Sequence, residues 1–218
     1  PDGAVYVADR GNHRVLRKGP GEALAVVVFG GQGRGDDLDQ LNTPFGVAVG
    51  LDGSVYVTDC QNHRVLCKRP GEALPKVFLG GKGRGDDLQS VDDPGGVSVG
   101  PDGAVYVADC GNDRVLRKQP NEALAEVVLG GNGQGDAMNQ LDWPDGVAVG
   151  PDGAVYVADS GNHRVLRKRP HETLAEVVLG GKGQGDGLDR LDEPSGLAVD
   201  VHGAVYVTDY FNHRVLRK

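Results

Sequence analysis

The sequence predicts an all-β protein, a β-propeller built from four-stranded antiparallel blades. Three observations point there. The 218 residues repeat with a period of 50: cuts at 1, 51, 101, 151 and 201 align four full units and a fifth of 18 residues without one insertion. Each unit holds four short runs rich in Val, Leu, Ala and Tyr, the alternating pattern of strands. Gly, Pro and Asp stand at the corners between those runs, where turns need them. A period of this length with four strands per unit is the signature of propeller blades.

The elements follow in order. GVAVG (46–50) is the first strand of a unit, and a PDG-type turn closes it. AVYVAD, at residues 4–9 and their equivalents, is the second, with β-branched and aromatic residues alternating. A tight loop holding Asn12 and His13 leads to the third strand, RVLRK (14–18), and a PGEA turn leads to the fourth, LAVVVFG (24–30). The long loop GGQGRGDDLDQLNTP (30–44) then crosses to the next unit. EALAEVV has the only helix-like spacing, and its Gly-Gly stop leaves it too short for a helical solenoid.

Composition narrows the function. With 23 Lys and Arg against 31 Asp and Glu, the net charge is −8. That disfavours a nucleic-acid grip, which needs a basic stripe, and adsorption on an anionic bilayer. Apolar runs such as LAVVVF (24–29) fall far short of the roughly 20 residues of a membrane span. No charged segment followed by an apolar one opens the sequence as a signal peptide would. Cys60, Cys67 and Cys110 show neither CxxC spacing nor an even count. Free thiols are expected, favouring an intracellular, reducing compartment.

The segment VYVADxxNHRV, preceded by PxGVAVxxDG and followed by a Gly-rich loop, resembles the NHL repeat along the whole chain. Asn-His-Arg recurs at 12–14, 62–64, 162–164 and 212–214, while the third copy reads Asn112, Asp113, Arg114. Kelch repeats are the nearest rival because of the Gly-Gly pairs, but their blades also want a Trp each, and this chain has one. The resemblance implies a propeller that serves either as a binding platform or as an enzyme. Peptidyl-hydroxyglycine lyases and related hydrolases and lactonases hold a metal in the central channel with His and carboxylates from inner strands. Some members bind RNA on a basic top face.

The recurring polar residues read as a scaffold hairpin in every unit: Asp9, Asn12, His13, Arg14; Asp59, Asn62, His63, Arg64; Asp109, Asn112, Arg114; Asp159, Asn162, His163, Arg164; Asp209, Asn212, His213, Arg214. The Asp ends one strand and the Arg opens the next, so a bidentate guanidinium–carboxylate bond is expected across the turn. Asn12 suits a turn residue that bonds nearby backbone or tolerates left-handed geometry. A His near an Asp also permits metal or acid–base chemistry, but the third unit manages with Asp113. The five Tyr of the second strands are expected to pack between blades with the hydroxyl on a backbone partner. Lys18 and its equivalents are expected in solvent.

Catalytic and metal-binding residues are expected to be absent, and so is a cofactor. The inner strands read GVAVG, GVSVG, GVAVG and GLAVD, which cannot supply a mixed ligand set. His171 and His202 fall in turns. The GGxGxGD loop fits neither a phosphate cradle, which needs a following helix, nor the calcium turn of nine-residue repeats; it reads as a plain crossing, with ion binding through Asp36, Asp86, Asp136 and Asp186 as the lesser alternative. Arg-Gly-Asp at 34–36 and 84–86 becomes Gln-Gly-Asp at 134–136 and 184–186, which is drift at one position.

The remaining candidates lie where the copies disagree. Phe45, Trp143, Tyr210 and Phe211 are atypical apolar residues on the loop side and are the expected anchors for a protein partner. The loop charges are mixed: Asp37, Asp39, Asp87, Asp93, Asp145, Asp189 and Glu193 face Arg10, Arg34, Lys82, Arg84, Lys182 and Arg190. The sequence therefore favours a single propeller domain over 1–218, acting as a non-enzymatic scaffold for protein–protein interaction, over a metal-dependent lyase or hydrolase, an RNA-binding domain or a repeat-amplified assembly fragment. The units supply eighteen strands, which suit part of a five- or six-position ring and allow self-association through the seam between the first and last repeats.

Overall fold

A computed structural model describes residues 3–218. The eighteen expected strands all form, and no α-helix interrupts them among the described residues. The strands build five antiparallel sheets, which are the blades.

The described chain divides into two compact units, one ending at Val97 and the other running from Ser98 to Lys218. In the first, β1 (Val5–Asp9), β2 (Arg14–Lys18) and β3 (Val26–Gly30) form a three-stranded blade. β4 (Pro44–Val49), β5 (Val55–Asp59), β6 (Arg64–Lys68) and β7 (Lys76–Gly80) form a four-stranded one. β8 (Pro94–Val99) spans the division. The second unit continues with β9 (Val105–Asp109), β10 (Arg114–Lys118) and β11 (Glu126–Gly130). A four-stranded blade follows: β12 (Pro144–Val149), β13 (Val155–Asp159), β14 (Arg164–Lys168) and β15 (Glu176–Gly180). β16 (Pro194–Val199), β17 (Val205–Asp209) and β18 (Arg214–Arg217) make the last, three-stranded blade.

Register assigns each side chain to a face. Asp59 pairs with Arg64, Thr58 with Val65, Val57 with Leu66 and Tyr56 with Cys67. Because side chains alternate, Val55, Val57 and Leu66 share one face of the blade, and Tyr56, Thr58 and Val65 the other. Facing blades close over these residues: Val15, Phe29 and Leu41 bury against Val55, Val57 and Leu66 in the first unit. In the second, Val115, Leu129 and Leu141 bury against Val155, Val157 and Leu166. Leu41, Leu141 and Leu191 are fully buried although they lie in the long loop, and so pin it to the core.

Three details differ from expectation. The Lys at the end of the third strand is not uniformly solvated: Lys118 is 7% exposed, and Lys68 donates from Nζ to the Val28 carbonyl. The aliphatic stem packs in the sheet while the ammonium finds a carbonyl. Second, the Tyr hydroxyl meets a side chain of the paired strand rather than backbone, as when Arg217 Nε donates to the Tyr206 hydroxyl at 3.1 Å. Third, the first strands begin earlier, at the Pro, which places Asp145 inside β12.

Candidate protein-binding loop face

Each hairpin between second and third strands turns through a single 3-10 turn in repeats one to four, as in Cys60–Asn62. The residue after it is left-handed, and it is the His (or Asp113), not the Asn: φ is 51° at His13, 48° at His63, 49° at Asp113, 51° at His163 and 52° at His213. The Asn side chain instead bonds the Asp, with Asn62 Nδ2 donating to Asp59 Oδ2 at 2.8 Å. Asn12, Asn112, Asn162 and Asn212 repeat this bond to Asp9, Asp109, Asp159 and Asp209.

The guanidinium does not grip the carboxylate with both arms. Arg64 donates to Asp59 Oδ2 through Nε at 2.7 Å, and its terminal nitrogens reach three carbonyls of the preceding loop, Asp36, Asp37 and Gln40. Arg164 holds the Asp136, Ala137 and Gln140 carbonyls, and Arg214 holds those of Asp186, Gly187 and Arg190. The Nε bonds from Arg14 to Asp9 and Arg114 to Asp109 match. The second oxygen of Asp59 accepts the Asn42 main-chain N–H at 2.6 Å. Burial pushes the Asp59 and Asp159 carboxyls above the ordinary range, while the hydrogen bonds from Asn42 and Asp142 N–H, Asn62 and Asn162, and Arg64 and Arg164 pull them back. The hairpin is thus a clamp that fixes the long loop of the preceding repeat.

The His faces the loop that follows. His13 Nδ1 accepts the Thr43 N–H at 3.1 Å, His63 that of Asp93 at 3.1 Å and His163 that of Glu193 at 3.2 Å. Asp113 accepts the Trp143 N–H at 2.8 Å through its carboxylate. All four donors have left-handed φ, from 45° to 58°, just before a Pro that excludes the right-handed region.

The loop face therefore alternates fixed backbone with variable side chains. Trp143 is 51% exposed although its main chain is held. Tyr210 and Phe211, 62% and 51% exposed, touch edge to face with ring centroids 5.0 Å apart. Phe45 is half-buried in β4 with the Arg10 guanidinium 5.6 Å above its ring. Of the four residues expected as anchors, only Tyr210 and Phe211 are in ring contact with each other among the described residues. Two loop cations are paired: Arg84 lies 3.5 Å from Asp92 and 3.3 Å from Asp93, and Lys182 bonds Asp189 at 2.7 Å.

Among the described residues, one group has metal-ligand spacing: His63 Nδ1 and the carboxylates of Asp92 and Asp93, with ligand atoms all within 4.8 Å. Arg84 sits on both carboxylates, and His63 Nδ1 already accepts the Asp93 N–H. Those contacts fit an ion-paired loop better than a cation seat. The sequence did not single out this trio because 30 residues separate its members and Asp93 is particular to the second repeat.

The model of the NHL repeat matches residues 41–67, 92–117, 141–167 and 191–217. This is an NHL-repeat protein. The matched spans hold the first three strands of a blade and the clamp hairpin. Solved structures share the fold at low identity. Virginiamycin B lyase from Staphylococcus aureus superposes with a TM-score of 0.66 at 13% identity over 99% of this chain, which spans 63% of the lyase chain. A nidogen/laminin complex gives 0.72 at 16% identity, covering 99% of this chain and 73% of that one. An auxiliary nutrient binding protein from Bacteroides ovatus gives 0.68 at 18% identity, covering 96% and 54%. No curated protein sequence matches the chain. Among the described residues of this NHL protein, no helix is long and apolar enough to cross a membrane.

Proposed function

We propose that this NHL-repeat protein is a non-enzymatic platform that binds a protein partner through its loop face. The observation that carries the reading is the exposure of Trp143, Tyr210 and Phe211 on a backbone that the clamp has already fixed. Other repeats fill the same positions with Glu193, Ser160 and Gly161, so the fold does not require an aromatic there. Exposed aromatics on a rigid frame lose little entropy on binding and are the usual anchors of interfaces.

Two observations weigh against the rival readings. The first strands of the blades, PFGVAV, PGGVSV, PDGVAV and PSGLAV, offer one acid, Asp145, and no His. Acid–base or metal chemistry needs several such groups together. Two loop cations, Arg84 and Lys182, are matched by carboxylates, which weighs against a positive surface for a nucleic-acid backbone. A binding role also accords with the nidogen/laminin complex among the similar folds.

The test is an alanine pair. Trp143→Ala with Tyr210→Ala should weaken the measured affinity for a partner by tenfold or more, about 1.4 kcal/mol, while leaving the thermal midpoint near wild type. Unchanged affinity would remove the anchors. Stoichiometric zinc in the purified protein, lost with His63→Ala, would favour a metal-dependent role instead.

A further inference from the structure

In the first unit, a groove of about 520 Å³ runs between the first and second blades. Its wall is apolar: Tyr6, Val28 and Phe29 come from the first blade, Val49 and Val55 from the second. Leu51 extends that wall where the third and fourth repeats have Pro101 and Pro151. The turns 51–53 and 69–72 close it, at the strand ends away from the loop face. An equivalent groove of about 650 Å³, lined by Tyr106, Val128 and Val155, forms between the third and fourth blades in the second unit. The groove therefore belongs to the packing of two adjacent blades, and its size suits a small molecule.

The two grooves differ in charge. In the first, both carboxylates are already engaged. Asp52 accepts the Ser54 N–H at 3.0 Å and the Ser54 hydroxyl at 2.8 Å, and Glu72 accepts Lys76 Nζ at 2.6 Å and the Arg69 main-chain N–H at 3.0 Å. The cations are not matched in this way. Lys68 Nζ donates only to the Val28 carbonyl, at 3.3 Å. Among the described residues, neither Lys68 nor the Arg69 guanidinium has a carboxylate oxygen within 4 Å, although Arg69 attracts Asp52 and Glu72 through space. In the second groove Arg117 is shared by Asp102 and Glu126, and Arg169 by Glu172 and Glu176. One repeat position makes the difference: Glu126 and Glu176 of the third and fourth repeats stand where the first two carry Val26 and Lys76.

We propose that the first groove binds a small organic anion, a monocarboxylate with an apolar chain. Its chain lies along Val28, Phe29, Val49 and Val55, and its carboxylate takes the donors that Lys68 and Arg69 leave unused. Charge-assisted bonds of this kind are strong and fix orientation, while the apolar wall supplies burial. Asp52 and Glu72 in the same groove disfavour a doubly charged head group. The site lies away from the loop face and stands independently of the protein-binding reading.

Isothermal titration calorimetry of the full chain with decanoate tests it. Decanoate should saturate a single site, and 1-decanol should bind far more weakly. Lys68→Met keeps the aliphatic stem and drops the charge, and Arg69→Gln installs the residue that the third repeat has at Gln119. Each should weaken decanoate about tenfold, the worth of one charge-assisted hydrogen bond. Lys76→Glu should also weaken it, by giving Arg69 the carboxylate that Arg169 has in Glu176. Arg169→Gln, in the other groove, should leave binding unchanged. Far-ultraviolet circular dichroism checks folding, and Arg69→Gln carries the test should Lys68→Met fail to fold. Absence of saturable decanoate binding, equal affinity for the alcohol, or undiminished binding in folded Arg69→Gln would overturn the proposal.

Discussion

His163 Nδ1 accepts the main-chain N–H of Glu193 at 3.2 Å, reaching 30 residues forward to the loop that opens the next repeat. The third repeat does the same with Asp113 and Trp143. A position that accepts either imidazole or carboxylate needs a hydrogen-bond acceptor of the right reach, and proton chemistry is not what it supplies.

His163→Asp should therefore fold and melt close to wild type. His163→Ala removes the acceptor of the exposed Glu193 N–H and should cost about 0.5–1.5 kcal/mol. Thermal denaturation of the two variants side by side checks this. Equal losses would show that the imidazole ring itself matters.

The clamp arginines should differ with burial. The Arg164 side chain is 5% exposed, bonds a fully buried Asp159 and holds three loop carbonyls. Removing one member of such a buried pair typically costs about 3–5 kcal/mol, since the other charge is stranded. Arg14, whose side chain is 37% exposed, should cost markedly less on the same change to Ala. Chemical denaturation of Arg164→Ala and Arg14→Ala measures the difference, and equal effects would contradict the clamp.

Much of this was legible in the sequence, and the limits have physical causes. Period, strand order and the Asp–Arg pairing across the hairpin are local features, fixed within a dozen residues. What escaped depends on loops that meet only after blades stack: the reach of Arg64 to Asp36, Asp37 and Gln40, and that of His63 to Asp93. Propensity allows Asn12 either a local side-chain bond to backbone or the left-handed position; the left-handed position goes to His13, whose ring then faces the next loop, and the Asn12 side chain bonds Asp9. Lys118 reads as a surface residue in isolation and is buried by its neighbours.

Acid should loosen the turn at Asp52. Hydrogen bonds from the Ser54 N–H and hydroxyl hold its carboxyl below the ordinary value of 3.8. A carboxyl depressed in the folded state stabilises above the unfolded value, and that contribution is lost as pH falls through the lower, folded one. Wild type should thus lose more stability than Asp52→Asn between pH 4 and pH 2, as followed by thermal midpoint. Parallel curves would show that the turn bonds are energetically neutral.

Under the proposed function, partner recognition resides where the repeats differ, on a frame where they agree. The most direct measurement gives the loop face the residues of the fourth repeat: Phe45→Ser, Trp143→Glu, Tyr210→Ser and Phe211→Gly together. Each replacement already occurs at the equivalent position, as Ser195, Glu193, Ser160 and Gly161. The circular dichroism spectrum should be unchanged, and the calorimetric affinity for a protein partner of the wild type should drop tenfold or more, about 1.4 kcal/mol. An unchanged affinity in the folded variant would contradict it.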